Sequence, residues 1–281
     1  MSQLFTRLLL ATEHTEFDAG AEAVAISMAQ RCQLPLAMVL PLVSNPEFEA
    51  LAPDIALRAE QEAAVKIAEI RAKAQAQGVA IDLRVRRGEE PYQEILAEAR
   101  ERDTELIIVR RRGKRGFLAN LLVGEMVSKV LAHAPCHVLF APRDAHMWNQ
   151  GVLVAAEPGE LGLRLVKTAA AIAAECSLPL HLVYVTASET KSTAIADFLV
   201  EAQAAALQLG VSLKIELRHG KAYTEILAAA SGSQVDLLVI GSRGDSNIGR
   251  AMIGGVAQKV IGLSEKPVLA LNLIRKPGDN A

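Results

Sequence analysis

The sequence predicts an α/β protein of two tandem, doubly wound domains, each built on a five-stranded parallel sheet. Residues of the first half recur in the second at a nearly constant spacing, so that Glu13 and Cys32 correspond to Glu157 and Cys176. Such a repeat indicates a duplicated domain. Short apolar runs alternate with stretches of helical periodicity. The runs are apolar at nearly every position, which is typical of parallel strands covered on both faces.

The first copy has five apolar runs that predict strands, at residues 8–11, 36–40, 81–85, 106–109 and 138–140. Apolar residues at helical spacing predict helices between them, near residues 21–28, 50–77, 95–99 and 121–131. Right-handed crossovers in this order leave a switch point at the carboxyl ends of the strands, where ligands bind.

The second copy repeats the pattern, with strands predicted at residues 152–155, 180–185, 213–217, 237–240 and 268–271. Helices are predicted near residues 161–169, 195–202, 223–231 and 252–263. Polar and turn-forming residues replace the periodicity at 143–150. We therefore expect one domain over residues 1–143 and a second over residues 151–281.

Composition narrows the class of protein. A chain of 281 residues with 51% hydrophobic residues can bury a core in each of two domains. Its net charge of −2 gives no basic excess for nucleic acid or an anionic membrane. No apolar run approaches the ~18–20 residues that span a bilayer, and the N-terminus does not resemble a signal peptide. We expect a cytoplasmic protein with reduced cysteines, in which Cys32 and Cys176 pack in separate cores.

A glycine-rich segment in the second copy is the main candidate for a binding site. Gly241 follows an apolar strand, Gly244 ends a tight turn, and Gly254 and Gly255 open the next helix. Glycines let a backbone approach a ligand closely, and a helix start offers free N–H groups with partial positive charge. Arg243 would add formal charge. Tight turns and close packing are the alternative explanation for these glycines.

The spacing of these glycines resembles the G-2x-G-9x-G-[ST] pattern of the universal stress protein family, which Gly241, Gly244 and Gly254 match. The segment 266–269 also resembles the family's proline-containing entry into its last strand. The resemblance covers essentially the whole chain. It implies an adenine nucleotide alpha hydrolase-like fold, with the two copies paired by pseudo-two-fold symmetry through their last strands, at residues 136–141 and 267–273.

The resemblance also implies a site for ATP, possibly with Mg²⁺, in the second domain only. ATP-binding members use an acid after the first strand, a backbone group after the second, and the glycine loop. In this sequence those positions, with the neighbouring arginine, are Glu157, Val185, Gly241, Arg243, Gly244, Gly254, Gly255 and Val256. Glu157 replaces an Asp, and Gly255 replaces the Ser or Thr. The lost hydroxyl hydrogen bond would cost roughly 0.5–1.5 kcal/mol.

The first copy departs from the pattern at the matching positions. Arg110 stands in place of Gly241, Glu125 in place of Gly255, and Pro41, which has no N–H, in place of Val185. These changes predict that the first copy does not bind ATP. The basic cluster at residues 110–115 is interpreted as a solvated loop, with a site for another anion or an acidic partner as the alternative.

Three functions compete at this point. The leading hypothesis is a stress-response regulator that binds ATP or a related adenine nucleotide in its second domain, with at most slow hydrolysis. The alternative is an interaction or scaffold protein that binds no nucleotide, and the third is an adenine nucleotide hydrolase. No catalytic residue or metal site is assigned, because no Walker lysine is present and the histidines near Cys136 fit no closed metal site. A protein partner and a homodimer are left open.

Overall fold

The computed structural model describes residues 4–45, 47, 51, 53–111, 125–186, 193–242 and 254–273. The strands of the first half are β1 (Leu8–Ala11), β2 (Leu36–Val43), β3 (Ile81–Gly88), β4 (Leu106–Arg110) and β5 (His137–Ala141). Its helices are α1 (Ala19–Cys32), α2 (Pro53–Ala76), α3 (Pro91–Glu101) and α4 (Glu125–His133), with a 3-10 turn at Glu16–Asp18. The predicted helix at 121–131 is therefore described only from residue 125.

The second half repeats this order. Its strands are β6 (Val152–Ala155), β7 (Leu180–Thr186), β8 (Leu213–His219), β9 (Leu237–Gly241) and β10 (Val268–Leu271). Its helices are α5 (Glu160–Cys176), α6 (Thr193–Gln208), α7 (Ala222–Gly232) and α8 (Gly255–Leu263). No helix within the described segments is long and apolar enough to span a membrane.

All ten strands form one sheet, in the order β3-β2-β1-β4-β5-β10-β9-β6-β7-β8. Each half has the same order of strands, and the pairs within each half are parallel. The halves meet where β5 and β10 pair antiparallel, with Leu139 opposite Leu269. This confirms the two doubly wound sheets and their pseudo-two-fold pairing through the last strands. The pairing also covers two apolar edges that would otherwise be open.

Two hydrophobic layers, one on each face of the sheet, run through both halves. Because side chains alternate along a strand, Leu8 and Leu10 contribute to one layer and Leu9 to the other. Helices α1, α2, α5 and α6 cover the first face, and α3, α4, α7 and α8 cover the second. Each helix follows a strand along the chain, so the helices begin at the end of the sheet where the strands have their carboxyl ends. The candidate site lies at this end.

The outer strands β3 and β8 depart from the expectation that every strand is buried on both faces. Both alternate partly buried and exposed positions along their length. They are the two edge strands of the sheet, so each has a neighbouring strand on one side only and is open to solvent on the other. Charged side chains such as Arg84 and Lys214 occupy the exposed positions, and charges on an edge strand also oppose pairing with other chains.

The prediction that Cys32 and Cys176 pack in separate cores is wrong. Both lie at the ends of their helices, α1 and α5, and both line one cavity between the halves. Pseudo-two-fold symmetry is the physical reason, because equivalent positions close to the axis face each other across it. Trp148, in the connection between the halves, lines the same cavity.

Candidate functional site

The second half contains a cavity of about 290 Å³ at the carboxyl ends of β6, β7 and β9. Strand β6 lies between β7 and β9, so the cavity opens at the point where the strand order reverses. Open α/β sheets bind ligands at such switch points. The walls are mostly apolar and include Leu161, Leu165, Val183 and Ile226.

The structure brings most of the predicted site residues to this one cavity. Those that line it are Glu157, Val185, Gly241, Gly254, Gly255 and Val256. Arg243 and Gly244 lie outside the described residues. Sequence reasoning missed the apolar walls and Ala257, which also lines the cavity and follows Val256 in the first turn of α8.

The start of α8 supplies unpaired backbone donors. Gln258 N–H makes the first intrahelical bond, to Gly254 C=O at 3.1 Å, while Gly254 N–H donates to Ser242 C=O at 3.2 Å. No side chain of the described residues caps the helix. Within the described residues, the N–H groups of Gly255, Val256 and Ala257 have no acceptor. Three amides without an acceptor in the described part of the chain, at a helix N-terminus, are suited to bind an anion.

Gly255 has space for a side chain. A Cβ added there would meet no atom of the described residues within 4 Å, so these residues leave room for a serine or threonine side chain. Gly162 is different, because a Cβ there would lie 1.8 Å from the Glu157 carbonyl oxygen. Gly162 thus lets α5 pack against the turn that carries Glu157, whose carboxylate is exposed and has no partner among the described residues.

The backbone of Val185 faces the open end of the neighbouring strand. Ala156 N–H donates to Val183 C=O at 3.2 Å, whereas Gly220 N–H donates to Thr186 C=O at 3.3 Å. Backbone groups alternate in direction along a strand, so the N–H and C=O of Val185 point to the same side as those of Val183, toward β6. Because β6 has already ended at this level, they have no strand partner there. Its N–H and C=O are therefore placed to bind a ligand in the cavity.

The equivalent place in the first half is filled by a side chain. Arg110 ends β4 as Gly241 ends β9. Its guanidinium donates from Nη1 to Asp18 Oδ2 and from Nη2 to Glu13 Oε2, both at 2.8 Å. Nη1 also lies 2.8 Å from Thr15 Oγ1. The space that remains there is about 10 Å³.

The basic cluster is therefore not a solvated loop at its first two members. The Arg110 side chain is only 3% exposed. Arg111 is half-buried, and its Nη1 donates to the Gly262 carbonyl in the last turn of α8, at 2.6 Å. Burial lowers the pKa of Arg111. Both arginines are thus structural, and residues 112–115 lie outside the described part of the chain.

Two histidines, His219 and His137, lie away from this cavity. His219 ends β8, is exposed, and does not line the cavity. Burial lowers the pKa of His137 to about 4, and its Nδ1 accepts a hydrogen bond from Asn272 N–H at 3.0 Å. Across the described residues, no group of three or more His, Cys, Asp or Glu is arranged to hold a metal ion.

Comparisons with known proteins point to one family. The model of the universal stress protein family matches residues 4–142 and 149–272. The universal stress protein YxiE of Bacillus subtilis (strain 168) is 32% identical over 109 residues, which are 39% of this chain and 73% of that protein.

Two solved structures share the whole fold. A universal stress protein from Archaeoglobus fulgidus DSM 4304 is 18% identical, with a TM-score of 0.76 over 95% of this chain and 96% of that one. A putative universal stress protein from Pseudomonas aeruginosa UCBPP-PA14 is 23% identical, with a TM-score of 0.67 over 95% of this chain and 93% of that one. At these identities the likeness establishes the fold alone.

Proposed function

The chain belongs to the universal stress protein family, and from that premise we propose that its second domain binds ATP or a related adenine nucleotide. In this proposal the protein is a stress-response regulator whose state depends on nucleotide occupancy. The first domain binds no nucleotide and acts as a structural partner. We expect any hydrolysis to be slow, because the sequence has no Walker lysine and the described residues contain no cluster that could hold a metal ion.

The apolar part of the cavity suits the base of the nucleotide. Leu165, Val183 and Ile226 offer apolar surface for a flat ring. The Val185 backbone, which has no partner strand on that side, offers both a donor and an acceptor to a ring edge. Pockets of this kind, apolar with a few placed polar groups, fix both the position and the identity of a ligand.

The polar part suits a sugar and a phosphate chain. An ionised Glu157 carboxylate only accepts hydrogen bonds, as ribose hydroxyls require. The free amides of Gly255, Val256 and Ala257 would bind phosphate oxygens, with the positive end of the α8 dipole behind them. Gly241 keeps the entrance free of a side chain.

The contrast between the two halves carries the proposal. The same fold position holds a cavity of about 290 Å³ in the second half and about 10 Å³ in the first. Arg110 contributes to the difference, since its guanidinium occupies the first site and binds two carboxylates there. This contrast supports nucleotide binding in the second domain only.

Thermal unfolding with and without ATP and Mg²⁺ tests the proposal. A ligand present at about 100 times its dissociation constant should stabilise the folded protein by about 2.7 kcal/mol. Gly241→Arg copies the first domain and should remove that stabilisation. The variant's own unfolding curve without ligand is the control for correct folding. No stabilisation of the unmodified protein at millimolar ATP would contradict the proposal and favour a scaffold function.

A further inference from the structure

The two halves hold equivalent lysines at equivalent places, but in opposite electrostatic surroundings. Lys129 is the fifth residue of α4, and Lys259 is the fifth residue of α8. Lys129 Nζ lies 4.9 Å from the centre of the Tyr92 ring, and Lys259 Nζ lies 4.7 Å from the centre of the Tyr223 ring. These tyrosines are the second residues of α3 and α7. The repeat therefore places the two ammonium groups at the same point of each domain.

In the first half this ammonium group is neutralised by two carboxylates. Lys129 Nζ lies 2.8 Å from Glu90 Oε2 and 2.9 Å from Glu125 Oε1. Glu125 is the first residue of α4, and Glu90 directly precedes α3. A carboxylate at a helix start also interacts favourably with the helix dipole. The fold thus already contains an anionic group that lies beside this helix start and contacts this lysine.

The second half has neither carboxylate. Gly255 is the first residue of α8, where Glu125 is the first residue of α4. Lys221 directly precedes α7, where Glu90 directly precedes α3. One acidic position has therefore lost its side chain, and the other carries a second cation.

The described part of the chain does not neutralise these two cations. Within it, Lys259 Nζ contacts the Tyr223 ring and no carboxylate. Lys221 is exposed and has no ion pair with the same residues. The one acidic residue of α7, Glu225, lies 3.3 Å from Arg218 Nη1. Both lysines therefore remain available to an anion.

Both lysines border the cavity assigned to the nucleotide. Lys221 directly precedes Ala222, which lines the cavity, and Lys259 lies one helical turn after Gly255, which also lines it. Helical side chains lean toward the N-terminus of their helix. The 2.9 Å contact in the first half shows that a lysine at this position reaches the start of its helix. The Lys259 side chain is thus positioned to reach an anion held by the amides of α8.

From this contrast we propose that Lys259, with Lys221 beside it, binds the terminal phosphate of the nucleotide. The second domain is then selective for a nucleoside di- or triphosphate over a monophosphate. A phosphate oxygen takes the place that the Glu125 carboxylate has in the first half, while the α8 amides bind the phosphate closer to the ribose. Lysine acts as a point charge in phosphate sites. This inference rests on the nucleotide site proposed above.

Calorimetric titration of the full-length protein with ATP and with AMP, at one ionic strength, tests the role of Lys259. Lys259→Met should lower the affinity for ATP about 5–12-fold, between the value of an exposed ion pair and that of a hydrogen bond to a charged group. The affinity for AMP should stay unchanged, because AMP has no terminal phosphate beyond the first. A variant that merely distorts the cavity would weaken both ligands.

Three further variants are matched to this one. Lys129→Met removes the equivalent lysine of the first domain and should leave both affinities unchanged. Lys259→Arg keeps the positive charge and should retain most of the preference for ATP. Lys221→Glu restores an acid at the position before α7 and should lower the affinity for ATP by pairing with Lys259. Unfolding curves without ligand establish that each variant is folded.

Four results would overturn the proposal: equal affinity of the unmodified protein for ATP and AMP, undiminished ATP affinity in folded Lys259→Met, equal losses for the two nucleotides, or the same loss in Lys129→Met. If the unmodified protein bound neither nucleotide, the nucleotide site itself would be contradicted, and this inference with it. Binding of both nucleotides without an effect of Lys259 contradicts this inference alone.

Discussion

Arg110 and Gly241 occupy equivalent positions at the ends of two equivalent strands, but the space beside Arg110 is filled and the space beside Gly241 is open. In the first domain Arg110 forms ion pairs with Asp18 and Glu13 where the second domain has open space. The Arg110 guanidinium thus occupies space that is open beside Gly241.

Replacing Arg110 should destabilise the first domain strongly. Asp18 is 1% exposed, so Arg110→Met leaves a buried carboxylate whose remaining partner among the described residues is Thr15. Breaking a buried ion pair typically costs about 3–5 kcal/mol. Urea unfolding measures the change in the free energy of unfolding.

Arg143→Met is the matched control for this experiment. Arg143 pairs with Glu16 at 2.8 Å, but both side chains are about half exposed. Exposed pairs contribute about 0–1 kcal/mol. Equal losses in the two variants would show that the Arg110 pair has no special role in stability.

Val185→Pro should weaken adenine nucleotide binding without unfolding the protein. The first domain already carries Pro41 at the equivalent register, two positions after Val39, just as Val185 lies two positions after Val183. The variant removes one N–H that has no partner strand on that side. We expect a loss of about 2–12-fold in affinity, as for one neutral hydrogen bond, measured by calorimetric titration with ATP.

The same substitution one position earlier is the control for Val185→Pro. Tyr184 faces β8 with its backbone, so Tyr184→Pro breaks the β7–β8 ladder and should lower the melting temperature. Unchanged ATP affinity in a folded Val185→Pro protein would remove this backbone from the proposed site.

Gly255→Ser should strengthen nucleotide binding. A Cβ at this position meets no atom of the described segments within 4 Å, so the serine fits without displacing those neighbours. Its hydroxyl would add a donor beside the free amides of α8 and raise ATP affinity by up to about tenfold. Gly255→Ala tests whether the gain needs the hydroxyl. A gain of the same size with alanine would contradict this explanation.

His137 should make the protein less stable as the pH falls. Burial holds its pKa at about 4 in the folded state, against an ordinary value near 6.5. Above pH ~6.5 both states are neutral, and the full stability is present. Below it the unfolded chain binds a proton that the folded protein does not bind until about pH 4. The free energy of unfolding should therefore fall by up to about 3 kcal/mol across this interval.

His137→Asn isolates the contribution of this residue. The Asn side chain keeps an acceptor for the Asn272 N–H but does not titrate between pH 4 and 6.5. Denaturant unfolding over that pH interval should give a shallower slope for the variant than for the unmodified protein. Identical slopes would mean that carboxylates alone control the acid response.

The sequence predicts the parts of this fold that depend on local pattern. The repeated strands and helices follow from apolar periodicity. The open space at the end of β9 follows from Gly241, which has no side chain. The residues at the start of α8 come together with Glu157 and Val185 because parallel strands end at one edge of the sheet. Domain limits at 1–143 and 151–281 remain a prediction.

The parts that depend on distant contacts could not be predicted in the same way. Arg110 meets Asp18 and Thr15 across more than ninety positions of sequence, and the pattern of charges alone suggested a solvated loop. The repeat did contain a signal for this contact. Glu13 is equivalent to Glu157 and Arg110 to Gly241, so residues predicted to share a site in the second half have charged equivalents that meet in the first. Cys32 and Cys176 line one cavity because of the way the two halves meet. Apolar periodicity does not encode that arrangement.

The stoichiometry of ATP binding tests the central claim most directly. Equilibrium dialysis of the full-length protein should give one ATP per chain, with no binding to folded Gly241→Arg and unchanged binding to Arg143→Met, whose exposed ion pair lies outside the candidate site. Two ATP per chain, or undiminished binding to Gly241→Arg, would contradict a site confined to the second domain. No binding at all would contradict the nucleotide site itself.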